Sequence, residues 1–321
     1  MFSHSTYTHT ERLALRTISA VADDRWKYFR DVGLWPLVVQ LDPRGWLENF
    51  TPAETPHAIR LLEGFTYFSN SIVEQLFRAS FLQASQLVVQ TKGNYLAART
   101  EWSDFLNDVY VVRVTGEIPN DTDSGFAFAR LARDILQVPQ ERILSPEAAL
   151  AKLHSGLRGK IIFVDDFIGS GRQFITMWGR FMRMANSGSF ESFSRLAKPN
   201  SGSMQFIYCS CIATSAGKEA IRSACPEVVT IAAHTLDSRN SVLSNNSDLW
   251  REDMAVTGPE WVESASRRAG ILDLGGAEGD WRGFDKLGLA LAFAHGYPDA
   301  TIPLLSWDKA GWKPLLRKGT L

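Results

Sequence analysis

Ile161-Ile162-Phe163-Val164-Asp165-Asp166-Phe167-Ile168-Gly169-Ser170-Gly171 is the stretch on which the fold turns. The apolar residues from Lys160 to Val164 read as a short strand buried on both faces, the pattern of a parallel sheet covered by helices. Gly169-Ser170-Gly171 then opens an amphipathic helix, with Phe174, Met177, Trp178 and Phe181 at helical spacing. A strand-to-helix turn of this kind lies at the carboxyl edge of an open α/β sheet, where such sheets bind ligands. Glycines let the backbone approach an anion closely, and the N–H groups of the first helical turn point toward it. Ser170 adds a hydroxyl donor. The carboxylates of Asp165 and Asp166 stand ready to accept hydrogen bonds from vicinal hydroxyls. A ribose 5-phosphate satisfies both halves of this arrangement.

The flanking sequence repeats the same grammar. Upstream, Val109-Tyr110-Val111-Val112-Arg113-Val114 is β-branched and aromatic, and predicts a strand. Gly116 to Ser124 is turn-like, and a helix follows with Phe128, Leu131, Ala132 and Ile135 on one stripe. Ser145-Pro146 starts a shorter helix, with serine as cap and proline first inside. Downstream, Gln205 to Ile212 and Val228 to Ala232 read as strands, with a helix from about Ala216 to Ala224 between them. Strands separated by helices predict a parallel, doubly wound sheet. Residues 237 to 285 are polar and glycine-rich, and read as loops with short helices. Residues 1–105 read as a mainly helical N-terminal domain. In it, Thr51-Pro52-Ala53-Glu54 has the form of a capping box, and helical stripes run through Ile59, Leu62 and Phe65 and through Ile72, Leu76 and Phe77. The expected division is thus 1–105 and 106–321.

The acidic-pair segment resembles the phosphoribosyl-pyrophosphate motif of type I phosphoribosyltransferases: an apolar strand, two acidic residues, then a small-residue loop with a hydroxyl and glycine. The resemblance implies an α/β, parallel-sheet phosphoribosyltransferase-like domain behind the helical one. Carried over, Asp165 and Asp166 hold the ribose hydroxyls and are the catalytic candidates. Phe167, Ile168, Gly169, Ser170, Gly171, Arg172 and Gln173 form the ribose and phosphate cradle. The earlier strand-to-helix turn, at Asp123, Ser124 and Gly125, is placed to meet pyrophosphate. Its two aspartates, Asp121 and Asp123, depart from the family pattern, because carboxylates repel pyrophosphate unless Mg²⁺ lies between, and this favours a binding module. The resemblance implies a ligand-bridged Mg²⁺ as the cofactor of an active enzyme. Arg142 and Arg158 are the basic candidates for the mobile hood of the family.

The helical first part, with the tail Gly296-Tyr297-Pro298-Asp299-Ala300-Thr301-Ile302-Pro303-Leu304-Leu305, is similar to phosphoribosyltransferase-like proteins of bacterial conflict systems, including those encoded beside retrons. That similarity implies a role in anti-phage defence and a protein partner in a defence complex.

Charge and cysteine usage narrow the partners. A formal net charge of −1, from 34 basic and 35 acidic side chains, gives no support for nucleic-acid binding across the surface. No apolar run approaches the roughly 18 residues of a membrane span, and Met1 to Asp24 lacks the pattern of a signal peptide. Cys209, Cys211 and Cys225 form no disulfide framework and fit a reducing cytoplasm. Cys209 and Cys211 alternate on one strand face and read as buried thiols, and the histidines lack metal-ligand spacing.

Other readings of the central stretch compete. A Walker B strand needs a Gly-x4-Gly-Lys-Ser/Thr loop, and Ser215-Ala216-Gly217-Lys218-Glu219 lacks its first glycine and hydroxyl. An aspartate pair that merely caps a helix is the structural alternative. On function two hypotheses stand: an enzyme acting at the anomeric carbon of phosphoribosyl pyrophosphate or a nucleotide, and a catalytically inactive nucleotide-sensing or partner-binding module.

Overall fold

The computed structural model describes residues 23–116, 124–184, 188–200 and 204–317. In chain order these form α1 (23–31), α2 (Pro43–Leu47), α3 (Thr55–Gly64), β1 (Thr66–Phe68), α4 (Asn70–Gln83), α5 (Ser85–Val88), α6 (Tyr95–Asp108) and β2 (Tyr110–Arg113). Then follow α7 (Ser124–Leu136), β3 (Ile143–Leu144), α8 (Pro146–His154), β4 (Gly159–Ile168), α9 (Arg172–Gly179), β5 (Met182–Arg183) and β6 (Phe190–Glu191). The last elements are α10 (Phe193–Asn200), β7 (Met204–Thr214), α11 (Ser215–Ala224), β8 (Val228–Leu236), α12 (Thr257–Arg268) and β9 (Leu291–Phe293). No helix among the described residues is long and apolar enough to cross a membrane.

The chain divides into two compact units. One is Ser71–Asp237; the other joins the chain up to Asn70 with the chain from Ser238 onward.

Ser71–Asp237 holds a five-stranded, wholly parallel sheet in the order β3-β2-β4-β7-β8. The α/β class expected from the strand and helix grammar is therefore present. Its central strands, β4 and β7, are apolar through most of their length because both faces are covered. Side chains alternate between faces along each strand, and the registers Val112↔Phe163 and Phe163↔Tyr208 set which residues share a face. On one face Val112, Val114, Phe163, Phe206 and Tyr208 pack with Phe174, Met177 and Trp178 of α9, Phe193 of α10 and Ile221 of α11. On the other, α4 lies against β7: Ser80 Oγ is 3.2 Å from Cys209 Sγ, and Cys211 Sγ donates to the carbonyl of Val73 at 3.6 Å. Phe77 of α4 meets Phe128 of α7 edge-on, so both helices cover that face. Both thiols are fully buried on one strand face, as their alternation suggested.

The second unit is built from the two ends of the chain. β1 pairs in parallel with β9, Leu41 bridges to Leu316, and the Trp46 indole donates to the Leu304 carbonyl at 3.0 Å. Trp46, Leu61, Leu62, Val262, Ala265, Ile302, Leu304 and Leu305 share its core. The expected division at residue 105 differs from these units. Helix α4 packs on β7, and Trp102 and Phe105 of α6 pack on Phe81 of α4, so this stretch belongs with the sheet, whereas the tail after β8 finds its core with the first seventy residues.

Three local expectations also shift. The helix after Thr51-Pro52-Ala53-Glu54 begins at Thr55; Glu54 does reach back to the Thr51 N–H at 2.9 Å, but across a preceding turn. Residues 237–285 contain a twelve-residue helix, α12, with Trp261, Val262 and Ala265 buried. Phe181 does not continue the apolar stripe of α9, because the helix stops at Gly179 and leaves that ring exposed.

Candidate functional site

Strand order creates one topological switch point. From β2 the chain crosses through α7 to β3 on one side; from β4 it crosses through α9 and α10 to β7 on the other. The carboxyl ends of β2 and β4 therefore flank the place where open sheets form a ligand crevice.

β4 runs further than its apolar core, through both aspartates to Ile168. Consecutive strand residues point to opposite faces, so the carboxylates part. Asp165 shares its face with Phe163 and Tyr208 and is only 1% exposed. Its Oδ1 accepts the Asp166 N–H at 3.0 Å, and its Oδ2 accepts the Tyr208 hydroxyl at 3.3 Å. Burial, then the charges of Asp165 and Asp166, push the Tyr208 phenol well above its ordinary pKa, so it stays protonated and donates. Asp166 is half-buried on the face of Val164 and Cys211. Its charge, after burial itself, helps drive the Cys211 thiol far above the usual range.

After Ile168, which is buried in the core, the chain turns through Gly169 and Ser170 to Gly171. Gly171 caps α9 with φ +79°, a left-handed conformation that favours glycine. A Cβ there would also lie 2.8 Å from the Gly217 carbonyl oxygen and 3.0 Å from Ile221 Cγ1. Thr214, at the end of β7, fastens the turn: its hydroxyl donates to the Gly169 carbonyl at 2.5 Å and accepts the Gly217 N–H at 2.9 Å. The turns after β4 and β7 thus interlock through backbone. The Arg172 N–H faces Ser170 Oγ at 3.4 Å. Phe167, Gly169 and Ser170 are half-buried, and Arg172 and Gln173 are exposed. Asp166, Phe167 and the residues from Gly169 to Gln173 share the carboxyl edge of β4, whereas Asp165 and Ile168 lie beneath it.

In the turn after β2, Asp121 to Asp123 lie outside the described residues, as does the side chain of Ser124. Gly125 is buried in the first turn of α7, where a Cβ would meet the Val114 carbonyl oxygen at 2.2 Å. Arg180, just beyond α9, donates to the Gly116 carbonyl and to Thr115 Oγ1, both at 2.9 Å, and so anchors the entry to this turn. The hood candidates sit elsewhere. Arg142 precedes β3, 3.7 Å from Asp108 and over the Tyr110 ring, and Arg158 precedes β4, so both mark the amino edge of the sheet.

Sequence reading passed over one cation at the carboxyl edge. Arg113, the last residue of β2, has its guanidinium carbon 3.8 Å from the centroid of Phe126 in the first turn of α7. Its Nε is buried with no hydrogen-bond partner among the described residues. The available signal was a charged residue closing an otherwise apolar strand.

Among the described residues no group of three or more His, Cys, Asp or Glu side chains could hold a metal ion. At the β4 edge the half-buried carboxylate of Asp166 is a hard oxygen donor of the kind Mg²⁺ takes.

No curated protein matches the chain. Among solved structures, the orotate phosphoribosyltransferase from Aeropyrum pernix is similar over 49% of this chain and 72% of that chain, at 15% sequence identity and a TM-score of 0.24. The PRTase-CE family matches residues 43–318, most of the sequence. The chain belongs to the PRTase-CE family and is a phosphoribosyltransferase-like protein.

Proposed function

We propose that the crevice between the carboxyl ends of β2 and β4 binds a ligand containing ribose 5-phosphate, either phosphoribosyl pyrophosphate or a nucleotide. One observation carries the reading: β4 delivers Asp166, half-buried, three residues ahead of a Gly-Ser-Gly turn locked at the start of α9. The N–H groups of that turn hold the 5-phosphate. Asp166 accepts hydrogen bonds from the ribose hydroxyls and would offer a carboxylate oxygen to a Mg²⁺ that the ligand brings. Bound Mg²⁺ would supply charge neutralisation to pyrophosphate oxygens. In a transfer reaction the bond from the anomeric carbon to pyrophosphate breaks and one to the acceptor forms. Asp166 then steadies the sugar while positive charge develops on it.

The part given to Asp165 is narrower than the motif implies. Buried and hydrogen-bonded by Tyr208, it holds the end of the strand in place. This favours a second reading, a nucleotide-sensing or partner-binding module without turnover. Asp166→Asn is expected to lose ligand affinity at unchanged stability, and Asp165→Asn to lose stability first; calorimetry with thermal unfolding separates them. Ligand affinity untouched in Asp166→Asn would remove the assignment. Repeated turnovers with any ligand would exclude the sensor.

The finer placement, in bacterial anti-phage defence with a protein partner in the cytoplasm, is supported by the resemblance of the 296–305 tail and helical first part to proteins of conflict systems. Phage plating on cells carrying the wild type or Asp166→Asn tests it; equal plating contradicts it.

A further inference from the structure

We infer that Tyr208 and Ser210, both on β7, are positioning residues: they set the direction in which Asp166 presents its carboxylate, and so decide how well the site tells ribose from a sugar lacking the 2-hydroxyl. The inference rests on the reading above and adds to it two residues outside the acidic-pair segment. Backbone direction at any residue is governed by two soft torsions, one on each side of its Cα. At Asp166, side chains hold the peptide plane on both sides. Ahead of it, Asp165 Oδ1 accepts the Asp166 N–H at 3.0 Å. Behind it, the Ser210 hydroxyl lies 3.0 Å from the Asp166 carbonyl oxygen, and its single hydrogen is shared with the Ile212 carbonyl at 2.7 Å. With both planes held, the Cα–Cβ bond of Asp166 keeps one direction.

Tyr208 completes the arrangement from below. Its hydroxyl donates to Asp165 Oδ2 at 3.3 Å, so the carboxylate that holds the Asp166 N–H is itself held at its other oxygen. The phenol ring is fixed in turn: Phe174 of α9 stacks on it, with centroids 4.2 Å apart and planes at 16°. Register puts the three groups on one face, with Phe163 opposite Tyr208 and Asp165 opposite Ser210. All three are buried, so water does not compete for these bonds. Polar groups in such a layer are costly, and Ile161, Phe163 and Phe206 fill the same face further down with apolar side chains. The polar set stands directly beneath Asp166, where direction matters. Through Phe174 it also rests on α9, whose first turn carries the phosphate cradle, so the ribose and phosphate halves of the site share one support.

Calorimetric titration with ribose 5-phosphate, 2-deoxyribose 5-phosphate and inorganic phosphate, run well below the melting temperature, tests this in wild type, Tyr208→Phe and Ser210→Ala. Wild type is expected to prefer ribose 5-phosphate to its deoxy analogue. Tyr208→Phe should weaken ribose 5-phosphate roughly threefold to tenfold, the value of one hydrogen bond. The deoxy sugar should be affected less and inorganic phosphate not at all, so the preference for ribose shrinks. Ser210→Ala should act in the same direction, and it decides alone should Tyr208→Phe fail to fold. A purely structural part would lower the melting temperature and leave the preference of the folded protein intact; that result overturns the assignment of whichever residue shows it. An equal loss for all three ligands overturns the inference too. So does a wild type that binds both sugars alike, which leaves the phosphate turn standing. Wild type that binds none of the three removes the underlying reading as well.

Discussion

Gly217 is the place where the architecture of the site can be perturbed without touching a ligand. It is the third residue of α11, and a Cβ on it would lie 2.1 Å from the Gly169 carbonyl oxygen and 3.0 Å from both Gly169 C and Ile168 Cγ2. To bring the closest contact from 2.1 Å to 3.0 Å, helix and turn must part by about 0.9 Å. Two effects oppose each other in Gly217→Ala. Alanine favours the helix over glycine by about 1 kcal/mol, while overpacking costs about 1–3 kcal/mol. The atoms in the way are backbone, so the upper end applies, and a net loss of about 2 kcal/mol is expected. For a unit of this size that is a fall in melting temperature of roughly 4–8 °C. A displacement near 1 Å in the phosphate turn should weaken ligand binding on the order of tenfold to a hundredfold. Differential scanning calorimetry and ligand titration measure both, with Gly179→Ala as control, since nothing lies within 4 Å of a Cβ there. A Gly217→Ala protein that melts with wild type and binds as tightly would refute the interlocking of the two turns.

Other expectations concern burial and charge. Tyr208→Phe takes one donor from a buried carboxylate and should cost about 1–3 kcal/mol, read as a lower urea midpoint at unchanged slope; an unchanged midpoint would mean the 3.3 Å contact does not matter. Burial pushes the Cys209 thiol up to about 12. Its folded-state pKa is raised, so its contribution is complete below the unfolded value near 8.5 and is lost as pH rises toward 12, by about 1.4 kcal/mol per pH unit. Cys209→Ala should flatten the pH dependence of stability between pH 9 and 11, and identical slopes would contradict this. Asp280, fully buried, accepts the Leu274, Gly276 and Arg282 N–H groups and the Arg282 side chain. Asp280→Asn should destabilise its unit by about 3–5 kcal/mol, visible in urea unfolding. These hydrogen bonds hold the Asp280 carboxyl below the usual carboxylate range. Its stabilisation is therefore present above the unfolded pKa and is lost as pH falls through the folded one; acid unfolding unaltered in Asp280→Asn would contradict that.

The sheet was legible because its strands are continuous apolar runs and their helices begin with recognisable caps. Ser145, for example, accepts the Ala148 N–H as the Ser-Pro pair suggested. Its extent was less legible: β4 carries two aspartates and β8 a histidine, so polarity hid strand length that neighbouring strands impose by pairing. The opposite facing of Asp165 and Asp166 follows from that extension alone. Read as a loop, both carboxylates could meet one ligand; read as a strand, only that of Asp166 stays outside the core. Long-range closure left no local trace. Trp46 and Leu304 stand 258 positions apart, and nothing near either residue predicts their hydrogen bond. Arg113 was visible only as a charge in an apolar strand, and its contact with Phe126 depends on α7 folding back beside it.

The most direct test of the central claim is titration of the wild-type protein with phosphoribosyl pyrophosphate and Mg²⁺, following heat and pyrophosphate release in the same sample. Saturable binding that Asp166→Asn abolishes is the expected result, with release deciding between enzyme and sensor. No binding of phosphoribosyl pyrophosphate, ribose 5-phosphate or nucleoside monophosphates would contradict the assignment of a sugar-phosphate site to the edge of β4.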